Sequence, residues 1–232
     1  RVWFAWTSAL TWFNATIDSG LSQCAFRRAA EAQNFSAVAR DTHATLLRAR
    51  VLFAPVALAL LLLVVEQSWR MPLLLPTLVA VTGLVVAANW ALPLFARPNH
   101  CVAMVALLQL SSLGIYWILG HQQLGILAYA WVFALVQLLT GITYAALLYA
   151  HANTATLSTA SMRSALQLLR QSVPLSFASV ITLPYSSAVP LVNNLMTGVE
   201  LAQFAIVERV VKAVQALQVP IGQSMLPTTY AL

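Results

Sequence analysis

Seven stretches of this chain stay apolar long enough to cross a bilayer core of about 30 Å, a thickness that takes roughly 20 helical residues. They lie near Val2–Ile17, Leu46–Val65, Met71–Phe95, Cys101–Leu119, Leu124–Tyr149, Val173–Met196 and Leu201–Leu226. Long apolar runs, rather than alternating segments of about ten residues, select membrane helices over an outer-membrane barrel. Composition points the same way: 60% hydrophobic residues, 8% charged residues and a mean hydropathy of +0.80 lie well outside the balance of soluble domains. The expected fold is all-α, a polytopic transmembrane helix bundle of about seven spans.

Basic residues set the expected orientation. Arg27, Arg28 and Arg40, with Arg48 and Arg50 at the foot of the second span, fall in the first connection, Arg97 in the third, and Arg163 and Arg170 in the fifth. The intervening connections carry Arg70 alone. Eight basic residues against one place the odd-numbered connections in the cytoplasm, so the net charge of +6 reports topology rather than nucleic-acid binding. The polar segment Asp18–Thr45 is expected to form one or two interfacial helices, its arginines either meeting anionic headgroups or enforcing topology. Arg1 runs directly into Val2, Trp3 and Phe4 with no n-region or cleavage site, so no signal peptide is expected in this stretch. With no initiator Met and a stop just after Pro227, the sequence reads as a fragment of a longer chain. Cys24 and Cys101, both on the cytoplasmic side, are not expected to form a disulfide.

The seventh span carries Glu208, Arg209 and Lys212 near its middle. A charge at the centre of a membrane helix costs about 2.5–3.5 kcal/mol on insertion scales, so these groups should face protein or water. With Gln215 they occupy an arc of about 120°. Glu208 and Lys212 stand one turn apart and can pair, leaving Arg209 unbalanced. Two readings stand: a cationic lumen facing something anionic, or a structural ion pair joining helices. The sixth span gathers Ser176, Ser179, Thr182, Ser186, Asn193 and Asn194 within about 120°, either a second polar face or helix-packing glue. Trp69, Trp90, Tyr116, Trp117, Trp131 and Tyr149 are expected to anchor helices at the headgroups. Ser161–Gln171 is expected to lie along the cytoplasmic surface as an amphipathic helix.

The sequence has no His-Glu-x-x-His, Cys-x-x-Cys, phosphate loop or Gly-x-Gly-x-x-Gly, and its four histidines are scattered. No catalytic residue, metal site or cofactor is expected, and the chain does not read as an enzyme.

Three regions resemble a known family. IDSGLSQCAFRRAAEAQ, leading into LLRARVLFAPVALALLLLVV, is similar to the second helix and following loop of polysaccharide flippases, the Wzx-type O-antigen translocases, with Asp18, Gly20 and Arg27 or Arg28 at the matching positions. VPLSFASVITLPYSSAVPLVNNLMTGVELAQFAIVERVVKAVQALQVPIGQSMLP resembles the family's seventh and eighth helices through Gly198, Glu200, Phe204, Glu208, Arg209 and Pro227. VAANWALPLFARPN is similar to its fourth helix at Trp90 and Pro93.

The resemblance implies part of a two-lobe transporter like those of multidrug and toxin extrusion. Residues 1–149 would supply N-terminal-lobe helices, 150–171 the cytoplasmic connection between lobes, and 172–232 the first helices of the second lobe. It implies flipping of undecaprenyl-pyrophosphate-linked oligosaccharide across the bacterial inner membrane by alternating access. Membrane lipids, polysaccharide polymerase and chain-length machinery are the implied partners. Arg209 and Lys212 would attract pyrophosphate, with Arg27 and Arg28 as further candidates. Glu208 would hold Lys212 or couple an ion. Gln215 and the serine, threonine and asparagine groups would meet sugar hydroxyls. A multidrug or organic-cation antiporter is the nearest alternative, opposed by central charges that sum to plus one. A non-transporting membrane scaffold is the third reading, and predicts polar faces that are wholly packed.

Overall fold

A computed structural model describes residues 2–18, 20–32, 35–65, 67–94, 125–151, 161–186 and 196–216, with scattered positions between 103 and 122. Within its helices, the side chains of 35–37, 56–58, 60–64, 92–94, 151, 176, 178–186, 201–202, 209–210 and 212–216 lie outside that description. The described residues form helices and no strand.

Helix α1, Val2–Asp18, is buried all round from Ala5 to Leu10 and then on one face through Phe13 and Ile17. It gives way at Gly20, whose φ of 76° is a left-handed conformation that glycine adopts without steric cost. Helix α2, Leu21–Ala30, buries Leu21, Ala25 and Ala29 and turns Arg27 and Arg28 to the surface. It is one of the one or two helices expected within Asp18–Thr45.

Helix α3, Phe35–Val64, is 30 residues long, so the end of the expected connection and the second span are one element. No glycine or proline interrupts Phe35–Ala54, and nothing stops the helix at Thr45, where the connection was expected to end. Helix α4, Gln67–Val86, leads into a 3-10 turn at Asn89–Leu94. The regular helix therefore ends nine residues before Phe95, the expected limit of the third span. Helix α5 spans Ile126–His151.

Helix α6, Met162–Ser186, runs without a break through the boundary expected between a surface helix and the sixth span. Ser161 starts it by accepting a hydrogen bond from the Ser164 N–H (3.1 Å). Near Pro174, Ser172 turns its hydroxyl back to the Leu169 carbonyl (2.8 Å). Helix α7, Gly198–Ala216, begins with a capping box: Thr197 donates N–H and hydroxyl bonds to Glu200 Oε2 (2.9 and 2.8 Å).

Among the described residues, two segments, Gln67–Ala91 and Ile126–Ala150, are long and apolar enough to cross a membrane. They belong to α4 and α5, which pack along each other. One core cluster joins α1 to α4 and α5 through Trp6, Leu10, Phe13, Leu73, Val81 and Ala134. A second joins α2, α3, the 3-10 turn, α5 and α6 through Leu21, Leu46, Trp90, Leu148 and Leu168.

Candidate functional site

The best-defined polar site lies where α1, α2, α3 and the end of α4 meet. Arg50, only 1% exposed, enters from α3. A guanidinium removed from water needs both a counter-charge and acceptors for its N–H groups. Its Nη2 pairs with Asp18, the last residue of α1, and donates to Ser22 Oγ of α2 (3.0 Å). The Ser22 hydroxyl also bonds Asp18, closing a three-membered set. Nη1 donates to the carbonyls of Val85 (3.0 Å) and Ala87 (2.6 Å). Those carbonyls sit where α4 stops, at the end that carries negative partial charge and lacks intrahelical donors. One planar fork thus ties four chain segments together, a role to which a lysine's point charge is poorly suited.

On the same face of α3, about two turns earlier, His43 is fully buried. Its Nδ1 accepts the indole N–H of Trp90 (3.4 Å), and its ring meets Tyr149 edge-on with centroids 5.8 Å apart. Accepting at Nδ1 puts the proton of the neutral imidazole on Nε2. Burial, and then the Arg50 charge, hold the His43 pKa down at about 4. Arg40 lies over the Tyr149 ring at 5.3 Å. Trp90, expected as a headgroup anchor, is instead 5% exposed and part of the core, because its indole N–H finds a partner inside.

The expected site residues divide into three groups. Arg27 pairs with Glu31 (2.7 Å) and Arg28 with Asp41 (3.2 Å), so both are surface charges with carboxylate partners. Helix α7 carries Glu208, Arg209, Lys212 and Gln215 in one continuous helical register, and Glu208 is half-buried. The side chains of Arg209, Lys212 and Gln215 lie outside the described residues, as do those of Ser176, Ser179, Thr182 and Ser186 on α6. Asn193 and Asn194 lie outside them entirely.

Sequence reasoning treated Arg50 as a topology charge and missed its partner. The available signal was an arginine opening an apolar run, together with Asp18 closing another. Cys24 is free and half-buried on α2; burial pushes its thiol up, against the pull of Arg27. Among the described residues, no group of histidine, cysteine or acidic side chains could hold a metal ion.

Compared with the profiles of known protein families, with curated proteins and with solved structures, the chain matches none.

Proposed function

We propose that this chain is part of a multi-pass transporter of the bacterial inner membrane, with about seven spans, that flips lipid-linked oligosaccharide by alternating access. The observation that carries the reading is the register of α7. The helix is continuous from Gly198 to Ala216, which sets Glu208 and Lys212 one turn apart and Arg209 beside them. Charges in an otherwise apolar membrane helix are expensive, and their usual use is in a substrate or ion path. A net positive face suits a pyrophosphate, and no bond in the cargo has to be made or broken. The resemblance to polysaccharide flippases across both ends of the chain supports the same cargo. Polysaccharide polymerase and chain-length machinery would act on the product.

The test is an Arg209→Ala variant in cells that depend on the protein for surface polysaccharide. Loss of surface polysaccharide at a normal membrane level of the variant is the expected result. Undiminished export would overturn the role given to Arg209.

A further inference from the structure

Helix α6 carries a stripe that the proposed transport path does not use. At 100° per residue, Arg163, Leu166, Arg170, Val173 and Phe177 fall within an arc of about 80°. All five are exposed, Phe177 at 68%. Ala165, Leu168 and Ser172, on the far side, are buried. The stripe thus changes from cationic to apolar along the helix: two arginines roughly 10 Å apart along the axis, then a valine and a phenylalanine over the next 10 Å.

Among the described residues, no carboxylate pairs with either arginine. The sequence holds no Asp or Glu from Gln67 to Val199. Helix α6 packs on α1, α2 and α3, and the described acidic groups of those helices and their ends are engaged: Asp18 with Arg50, Glu31 with Arg27, and Asp41 with Arg28. Among the described residues no ion pair reaches Arg163 or Arg170. Arg163 also sits in the first turn of α6, where the helix dipole disfavours a cation, so helix stability does not account for it.

We infer that this stripe seats an anionic phospholipid of the adjoining leaflet, with the phosphate between Arg163 and Arg170 and an acyl chain along Val173 and Phe177. A cationic head above an apolar track is complementary to that amphiphile, and an anionic surface attracts exposed arginines of this kind. The inference rests on the membrane reading but not on the identity of the transported cargo.

The test is native mass spectrometry of the purified chain released from nanodiscs that contain equal amounts of phosphatidylglycerol and phosphatidylcholine. Wild type should retain phosphatidylglycerol over phosphatidylcholine by on the order of tenfold. R163Q/R170Q should bring that ratio close to one, R163K/R170K should largely preserve it, and Arg70→Gln should leave it unchanged. Since Arg163 and Arg170 are both exposed, changing them leaves the core undisturbed. The inference is overturned by equal retention of the two lipids in wild type, by an unchanged ratio in R163Q/R170Q, or by an equal fall in Arg70→Gln. Failure to enter nanodiscs of any composition would instead defeat the membrane reading beneath it.

Discussion

Gly141 of α5 lies directly against the backbone of Gly83 of α4, so close that a β-carbon on Gly141 would stand 2.8 Å from the Gly83 carbonyl carbon. A β-carbon on Gly83 would stand 2.6 Å from the Leu138 Cα. Contacts of that length with backbone cannot be relieved by a rotamer change, so the two apolar helices must separate. Small residues that let backbones approach are the usual means of joining helices in lipid, where no hydrophobic force acts between them.

Gly141→Val should therefore lower stability by about 3 kcal/mol or more and reduce the yield of folded protein in detergent. Gly125→Ala is the matched control, since nothing lies within 4 Å of a β-carbon there. Thermal unfolding of both variants, followed by circular dichroism, checks the contrast. Similar melting for Gly141→Val and wild type would show that α4 and α5 are not in this contact.

The fork of Arg50 predicts a non-additive pair. Arg50→Gln leaves the Asp18 carboxylate with the Ser22 hydroxyl but no counter-charge, and takes the guanidinium from the Val85 and Ala87 carbonyls. Asp18→Asn leaves a buried guanidinium without its counter-charge. Breaking a buried pair from one side costs about 3–5 kcal/mol, and the double variant should cost clearly less than the two single losses together. A double-mutant cycle by denaturant unfolding measures the coupling. Simple additivity would mean that Asp18 and Arg50 act independently.

His43 predicts a pH dependence. Its folded pKa of about 4 lies below the ordinary 6.5, so the unfolded chain takes up a proton that the folded chain refuses. The contribution of neutral His43 is complete above about pH 6.5, falls as pH drops toward 4, and is lost below that. The full change is on the order of 3 kcal/mol. His43→Gln keeps an acceptor for Trp90 while removing the titration. The fall in melting temperature from pH 7 to pH 5 should be smaller in that variant than in wild type, and an equal fall would place the titrating group elsewhere.

Some local features were legible because they depend on near neighbours. Helix ends are an example that the sequence reading passed over: Thr197-x-x-Glu200 spells a capping box, and Gly20 marks the turn between α1 and α2. The boundary expected between the connection Asp18–Thr45 and the span Leu46–Val65 is not a helix end, because α3 continues through it where no residue breaks it. Trp90 shows the limit of composition. A tryptophan at the end of an apolar run fits a headgroup anchor equally well until His43, 47 residues away, supplies an acceptor for its indole.

By itself, the sequence determined that the chain is helical and apolar and which residues can face one side of a given helix, because periodicity and hydropathy act over a few turns. Only the tertiary structure decided which charges are spent on one another. It paired Asp18 with Arg50 and gave Arg27 and Arg28 to Glu31 and Asp41. That left Arg163 and Arg170 on an open face of α6. Ion pairing depends on distances of a few ångströms between residues far apart in the chain, and no local pattern encodes such distances.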